Sequence, residues 1–271
     1  MKDETHEDMR QMTNSVTEAI VFKDVSKFFK TSDTPAVNNV SLSIHTGEFI
    51  TILGSSGCGK TTLLKMVNRL YEPSCGSIEL FGEDSATVDK TTLRRRIGYV
   101  IQRIGLFPHM TLGENIAVVP KLMQWSKEAI SARVDELLAL VGLAPEEFRN
   151  RYPDQLSGGQ QQRVGLARAL AIDPKIMLLD EPFGALDNIT RTVLQDELFR
   201  LHRGMGKTFL FVTHDINEAM KLGDRVIVMD KGRVVQFATP REVVCNPADD
   251  FTAKLVQSAR QQEKLWESLT C

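Results

Sequence analysis

One eight-residue stretch constrains this chain more than any other, because it matches the phosphate-binding pattern G-x-x-x-x-G-K-[ST] at every fixed position. The preceding residues 48–53 are apolar enough for a buried strand, and residues 61–69 have the spacing of a helix. A phosphate-binding loop needs this strand–loop–helix context, so the sequence predicts a nucleoside triphosphate as ligand. The loop consists of Gly54, Ser55, Ser56, Gly57, Cys58, Gly59, Lys60 and Thr61.

The residue types in this phosphate loop suit an anionic ligand. Its glycines let the backbone curl until several N–H groups point at one anion, and the following helix adds the positive end of its dipole. We expect Lys60 to reach the β- and γ-phosphates and the Thr61 hydroxyl to bind Mg²⁺. Thr62 is expected to be a further contact to the nucleotide.

Composition and charge narrow the possible functions. The chain has 271 residues, with 33 Lys and Arg against 35 Asp and Glu, a net charge of −2. Proteins that hold nucleic acid usually present a basic field, so nucleic acid is not an expected partner. No apolar run approaches the roughly 18 residues that a membrane helix needs, and the charged first residues do not resemble a signal peptide. We therefore expect a cytosolic location.

The order of apolar patterns predicts an α/β fold. Strand-like runs alternate with helical spacing along most of the chain, which is typical of a parallel core sheet, and short early runs predict a small antiparallel layer. Helical spacing without strands between about 112 and 149 predicts an inserted helical subdomain. The expected division is a disordered tail (1–18), a main domain (19–248) containing the helical subdomain (about 103–165), and a C-terminal helix (249–271).

A second element for phosphate chemistry follows later in the chain. Four apolar residues, 176–179, end in the carboxylates of Asp180 and Glu181. In α/β sheets, ligands bind at the carboxyl ends of the strands, so we expect this pair beside the phosphate loop. Asp180 would hold Mg²⁺ through water, and Glu181 would polarise the water that attacks the γ-phosphate.

Cys58 lies inside the phosphate loop, beside the start of the helix and Lys60. Both neighbours lower the pKa of a thiol, so we expect the thiolate to be favoured. For catalysis itself we expect Cys58 to be only a small residue that fills space in the loop. We nevertheless predict that its alkylation blocks nucleotide hydrolysis and that nucleotide protects the thiol. The other cysteines are scattered and form no C-x-x-C pair, so neither a disulfide framework nor a zinc site is indicated.

The stretch Leu156, Ser157, Gly158, Gly159 and Gln160, followed by residues 161–170, resembles the signature and signature helix of the ATP-binding-cassette family residue for residue. A serine and two glycines at a helix start form a second anion site. In that family, two subunits sandwich ATP head to tail, and the signature of one caps the nucleotide on the phosphate loop of the other. The resemblance therefore implies ATP and Mg²⁺ as cofactors and a second cassette subunit as partner, with a homodimer expected.

The other landmarks of the family are also matched in this sequence. Gln102 resembles the switch glutamine that touches Mg²⁺ and faces the membrane partner, and Asp187 resembles the residue of the loop that crosses the dimer seam. His214 resembles the histidine that contacts the γ-phosphate and orients the water. Phe29 matches the aromatic residue that stacks on adenine, and its neighbour Phe28 is expected to be buried instead. The resemblance covers about residues 20–245.

This ATPase could belong to any of three functional classes of cassette protein. They are a transporter motor bound to separate membrane subunits, a soluble cassette acting on ribosomes or DNA, and a regulatory cassette that hydrolyses poorly. The single cassette, the absence of a cysteine cluster and the filled catalytic positions favour the first class. Such a motor needs a docking surface, which we expect in the 103–125 region with its apolar segment 104–108.

Five further segments are informative: residues 65–70, 97–111, 114–125, 151–153 and 180–187, of which the last recurs across many importers. They resemble the cassettes of bacterial importers for glycine betaine, choline, carnitine and related osmoprotectants. This resemblance implies transmembrane permease subunits, an extracytoplasmic solute-binding protein, and a position on the cytoplasmic face of the inner or plasma membrane. Importers of polar amino acids, sulfonates or polyamines remain the alternative. The stretch after His214 is too short for the paired regulatory domains of many osmoprotectant cassettes, so salt sensing is not expected.

Overall fold

A computed structural model describes residues 17–30, 33–102, 105–184 and 186–269, with backbone alone for residues 262–269. Most of the tail expected to be disordered lies outside this part of the chain. The strands are β1 (Glu18–Lys27), β2 (Val37–His45), β3 (Phe49–Gly54), β4 (Cys75–Leu80), β5 (Glu83–Asp84), β6 (Ile97–Val100), β7 (Ile176–Asp180), β8 (Thr208–Thr213), β9 (Arg225–Asp230) and β10 (Arg233–Ala238). The helices are α1 (Lys60–Val67), α2 (Lys90–Arg95), α3 (Leu112–Leu122), α4 (Lys127–Leu140), α5 (Pro145–Phe148), α6 (Gly158–Leu170), α7 (Asn188–Met205), α8 (Ile216–Leu222), α9 (Pro240–Cys245) and α10 (Asp250–Leu269).

A six-stranded sheet forms the centre of the fold, in the order β10-β9-β3-β8-β7-β6. All neighbouring strands are parallel except β10, which runs antiparallel to β9. Strands β3, β7 and β8 are buried along their whole length because layers cover both faces of the sheet. The carboxyl ends of these three strands therefore meet at one edge, as predicted.

Alternate residues of the central strands face two different layers. Phe209 and Phe211 of β8 pack into a cluster with the helical block α3–α6, whereas Leu210 and Val212 pack with α1 and the second sheet. That second sheet has the order β2-β1-β4-β5 and is antiparallel. The structure thus has the predicted parallel core, the small antiparallel layer and the helical insertion.

The helical block begins at a well-capped helix. The Thr111 hydroxyl accepts a hydrogen bond from the backbone N–H of Glu114, whose carboxylate accepts one from the N–H of Thr111. Ile116 and Leu137 are fully buried in the cluster shared with the central sheet, which fixes α3 and α4 against the core. The limits of a separate subdomain at about 103–165 stay a prediction.

The C-terminal helix α10 is amphipathic and packs against the edge of the core. Val256 is buried, and Phe251 and Leu255 pack with it against a cluster that contains residues of β9 and α8. Among the helices that the structure describes, none is both long and apolar enough to cross a membrane.

Candidate active site

The phosphate loop connects β3 to α1, as predicted, and passes very close to two other segments. A Cβ atom on Gly54 would lie 2.2 Å from the carbonyl oxygen of Met229, and one on Gly59 would lie 2.1 Å from that of Ala36. Gly59 also has a φ of 108°, a value that L side chains rarely adopt. The glycines are therefore required by close backbone packing as well as by the turn itself.

Lys60 is the first residue of α1, and its side chain folds back into the loop. Its ammonium group donates hydrogen bonds to the carbonyl oxygens of Gly54 (2.7 Å) and Ser55 (2.9 Å), and the residue is only 5% exposed. The loop residues Ser55, Ser56 and Gly57 are exposed. The cation thus lies inside the curl of the loop, where its predicted contact with the β- and γ-phosphates would be made.

Asp180 ends β7 directly beside the start of α1. The Thr61 hydroxyl donates a hydrogen bond to Oδ1 of Asp180 at 2.8 Å, and the Tyr99 hydroxyl lies 3.4 Å from Oδ2. Burial raises the pKa of Asp180 above its usual value, and burial together with the Asp180 charge raises that of Tyr99. A hydroxyl and a buried carboxylate are the oxygen ligands that Mg²⁺ prefers, so two of the three predicted metal contacts fit the ion.

Tyr99 was not predicted to belong to this site. It lies on β6, which pairs in parallel with β7, and Tyr99 is in register with Leu178, two residues before Asp180. The only sequence signal was its place three residues before Gln102.

Replacement of Asp180 by Asn is expected to raise the thermal unfolding temperature at neutral pH while abolishing Mg²⁺-dependent hydrolysis. The raised pKa means that ionised Asp180 disfavours the folded state, and Asn removes that charge with little change in shape. The advantage should shrink as the pH falls, because both folded and unfolded wild-type protein then carry a protonated Asp180. Thermal scans of both proteins at several pH values measure the difference. A destabilised variant at neutral pH would contradict this prediction.

Two of the predicted catalytic side chains, Gln102 and His214, approach the same oxygen atom of a third, Glu181. The amide Nε2 of Gln102 donates a hydrogen bond to Oε2 of Glu181 at 3.0 Å, and Nδ1 of His214 lies 3.5 Å from the same atom. Gln102 follows β6, Glu181 follows β7 and His214 follows β8, so parallel strand order brings them together. Gln102 therefore lies with Glu181 rather than with the Thr61–Asp180 pair.

The backbone of Glu181 is strained. Its φ is 45°, in the left-handed region that side chains other than glycine seldom enter, and its N–H donates to the carbonyl of Val212 at 3.1 Å. Backbone strain of this kind is concentrated at functional sites, where the surrounding structure holds it in place. Here it turns the carboxylate out of the sheet edge toward Gln102 and His214.

The signature segment starts α6 with a reciprocal cap. The Ser157 hydroxyl accepts from the N–H of Gln160 at 3.3 Å, and the Gln160 side chain accepts from the N–H of Ser157 at 3.0 Å. Ser157 and Gly158 are exposed at the start of this helix, whereas Gly159 is buried against Thr190. The exposed helix start is available to an anion outside the segment itself.

Asp187 lies beside the signature rather than beside the phosphate loop. Its carboxylate caps α7 by accepting from the N–H groups of Ile189 (3.1 Å) and Thr190 (3.0 Å). Thr190 packs against Gly159, so Asp187 and the signature share one surface. Among the described residues, no hydrogen bond or ion pair of Ser157 or Asp187 reaches the phosphate loop of the same chain. This separation agrees with the resemblance, which requires the signature of a second subunit.

The two candidate adenine-contacting rings differ in environment. Phe29 is half-buried, with its ring centroid 5.2 Å from that of Tyr71 in an edge arrangement, and Lys27 lies over the ring. Phe28 is 48% exposed, so the prediction that Phe28 is buried is wrong. Phe29 takes the inward position because Tyr71 provides an aromatic partner there. Adenine stacking on Phe29 stays a prediction.

The prediction that the Cys58 thiolate is favoured is also wrong, whereas the effect of alkylation stays a prediction. The residue is buried, at 4% exposure, in the cluster beneath the antiparallel sheet, and burial raises the pKa of its thiol despite the neighbouring Lys60. Desolvation of the charged form outweighs the local positive field. The thiolate is therefore disfavoured in the folded protein.

Maleimide labelling at neutral pH should modify Cys75 and Cys245 well before Cys58. Cys75 and Cys245 are exposed, whereas Cys58 combines burial with a raised pKa. Peptide mass spectrometry over a time course gives the three rates. Equal labelling of Cys58 and Cys75 in folded protein would contradict the structure, and labelling in denaturant provides the control.

Comparison with known proteins identifies the family. Residues 37–184, more than half of the chain and including the phosphate loop, the signature and Glu181, match the ABC transporter family. The chain belongs to this ABC transporter family. The match confirms the resemblance and, with the structure, the predicted fold class.

Individual relatives agree with this assignment. The choline transport ATP-binding protein OpuBA of Bacillus subtilis is 52% identical over 241 residues, which is 89% of this chain and 63% of OpuBA. The glycine betaine uptake system ATP-binding protein YehX of Escherichia coli is 52% identical over 86% of this chain and 74% of its own length. The dimeric ATP-binding cassette MJ0796, bound to ADP and Pi after hydrolysis, superposes with a TM-score of 0.73 at 38% identity, covering 82% of this chain and 99% of MJ0796. The chain thus spans less than two thirds of the length of OpuBA.

Proposed function

We propose that this chain is the ATP-hydrolysing subunit of an ABC importer for a small quaternary-amine osmoprotectant of the glycine betaine, choline or carnitine type. The observation that carries the proposal is the convergence of Gln102 and His214 on one carboxylate oxygen of Glu181, beside the phosphate loop. The solute class is supported by OpuBA, a choline transport protein, and YehX, a glycine betaine uptake protein, which are each 52% identical to this chain over the matched residues.

Mg²⁺ would be held by Thr61 and Asp180, because Gln102, the third predicted contact, lies at Glu181 instead. The ion would supply positive charge to the β- and γ-phosphates. The chain itself provides the other parts of the reaction. Lys60 and the loop N–H groups bind the phosphates, and Glu181 accepts a hydrogen bond, then a proton, from the attacking water. His214 orients that water against the γ-phosphate. Phosphoryl transfer depends mainly on such positioning and on neutralised charge.

Each site is completed by a second copy of the chain. The exposed start of α6 at Ser157 would cap the nucleotide on the phosphate loop of the partner, with Asp187 at the seam. This arrangement is supported by the separation of the two half-sites within one chain and by the dimeric form of the MJ0796 cassette. One copy of each motif in the chain favours a homodimer.

The membrane partners would dock on the region around α3. Apolar side chains that are 37% to 62% exposed occur there, an arrangement that suits contact with another protein. We propose permease subunits at this surface, on the cytoplasmic face of the membrane, and a solute-binding protein on the other side. Ile104 of the predicted docking segment lies outside the described residues. The exposed apolar residues are Phe107, Leu122, Met123 and Trp125.

Uptake of labelled glycine betaine and choline by cells at low and high osmolarity tests the proposal. The strain should lack this gene and all other betaine importers, and should carry the genes of the proposed permease and solute-binding protein. Restoration by wild type but not by Lys60→Ala is expected, while the matched control Lys254→Ala, an exposed lysine of α10, should restore uptake fully. No uptake with wild type, or restored uptake of a sulfonate or polyamine instead, would overturn the solute assignment.

A further inference from the structure

A single arginine lies between the segment that carries Asp187 and the turn that carries His214. Arg191, on the first turn of α7, donates a hydrogen bond through Nη2 to the carbonyl oxygen of Leu186 at 3.1 Å. On its other side, Nη1 lies 3.8 Å from Oδ2 of Asp215, and Nε lies 3.8 Å from Oε1 of Glu218. The guanidinium group therefore touches both segments at once.

The acidic residues that face Arg191 hold the His214 turn in place. The Thr213 hydroxyl donates to Oε2 of Glu218 at 2.6 Å and accepts from the N–H of Asp215 at 3.0 Å. Asp215 in turn caps α8 by accepting from the N–H of Asn217 at 2.8 Å. The residues on both sides of His214 are thus fixed by hydrogen bonds to the partners of Arg191.

The same network buries charge. The Glu218 side chain is 8% exposed, and Gln195 Nε2 donates to its Oε1 at 3.1 Å, so its two oxygens have neutral donors and Arg191 is the cation beside them. A buried carboxylate needs such compensation. Nε of Arg191 is buried without a hydrogen bond, and both acidic contacts are longer than hydrogen bonds. The guanidinium group can therefore move closer to Asp215 and Glu218 and form hydrogen bonds with them.

We propose that Arg191 is a positioning residue that links the dimer seam to the water-orienting histidine. The inference rests on the proposed function, because it needs a second cassette at Asp187. Docking of the second cassette at the seam fixes the Leu186 carbonyl, and Arg191 moves with that carbonyl through their hydrogen bond. Arg191 then fixes Asp215 and Glu218, which set the position of His214. His214 then meets Oε2 of Glu181 in the geometry that the attacking water requires. Hydrolysis is thereby tied to completion of the paired site.

The test compares Arg191→Lys and Arg191→Gln with wild type and with Arg203→Gln. Lysine keeps a positive charge beside Glu218 but cannot bridge the two segments, so it should fold normally. We expect both Arg191 variants to lower kcat for ATP hydrolysis by about tenfold or more, with KM for ATP changed by less than about twofold. Arg203 lies at the other end of α7 and forms a 3.0 Å ion pair with Asp224, so Arg203→Gln should leave kcat unchanged.

A double-variant cycle separates positioning from a general structural role. If Arg191 acts through His214, adding Arg191→Lys to His214→Ala should lower the remaining rate by less than about twofold. ATP-induced dimerisation should persist when Arg191→Lys is combined with Glu181→Gln. Normal kcat in Arg191→Lys, an additive loss with His214→Ala, or loss of the dimer would each overturn the inference. Absence of hydrolysis by wild type would instead refute the proposed function.

Discussion

Replacement of Glu181 by Gln is expected to lower ATP hydrolysis by about 10²- to 10⁴-fold while ATP binding is retained. Glutamine fills nearly the same space beside Gln102 and His214, whose polar atoms lie 3.0 Å and 3.5 Å from Oε2 of Glu181. It cannot accept the proton of the attacking water. Because ATP lies between the paired cassettes in the proposed assembly and the variant does not consume it, the variant should accumulate as a dimer that holds ATP.

Phosphate release and gel filtration with and without ATP measure the two parts of this prediction. Glu83→Gln is the matched control, because Glu83 is exposed on β5 and pairs with Arg96 at 3.5 Å, away from the phosphate loop. The control should hydrolyse ATP at the wild-type rate and should form no lasting dimer. Near-normal turnover in Glu181→Gln would contradict the role of this carboxylate.

Replacement of Gly59 by Ala is expected to weaken ATP binding by at least about tenfold, which corresponds to ~1.4 kcal/mol. The new Cβ would lie 2.1 Å from the carbonyl oxygen of Ala36, a backbone atom, so the loop itself must move. Gly59 also has a φ of 108°, which alanine adopts only with strain. Movement at this position displaces the N–H groups at the start of α1 and Lys60, the groups that would bind the phosphates.

Gly82→Ala provides the matched control for Gly59→Ala. Gly82 also has a positive φ, 79°, but a Cβ there would meet no atom within 4 Å. This variant should lose some stability from backbone strain and keep its affinity for ATP. Titration of both variants with a fluorescent ATP analogue, together with thermal scans, gives the two quantities. Equal ATP affinities of the two variants would show that the close approach to Ala36 does not shape the loop.

The sequence was most informative where function depends on short, ordered motifs. The phosphate loop had to lie between a strand and a helix, and Asp180 and Glu181 had to end a buried strand. The structure has both arrangements because strand alternation and glycine placement are local properties. The assembly of Gln102, Glu181 and His214 was also predictable, since each follows a strand of one parallel sheet.

What the sequence did not reveal depends on tertiary packing. Tyr99 beside Asp180, Tyr71 beside Phe29 and Arg191 beside Glu218 join residues that are far apart in the chain or belong to no motif. Cys58 shows the same limit. Its neighbours in sequence favour the thiolate, but burial, which the sequence does not state, has the larger effect on its pKa.

Two elements near the C-terminus, β10 and α9, also have no clear pattern in the sequence. β10 lies at the edge of the sheet, and its residues are half-buried or exposed, so it lacks the apolar run of a central strand. α9 has six residues, too few for a clear helical period. Both are fixed by contacts with β9 rather than by their own pattern.

The claim that one copy completes the active site of another is tested most directly by disulfide cross-linking. Ser56 and Ser157 are both exposed, one on the phosphate loop and one at the start of α6. One Glu181→Gln protein should carry Ser56→Cys and a second should carry Ser157→Cys, with Cys75, Cys245 and Cys271 replaced by Ser in both. A disulfide forms only where the two Cα atoms approach within about 7 Å. We predict a covalent dimer in the mixture only when ATP is present, whereas a mixture that stays monomeric with ATP would contradict the paired site.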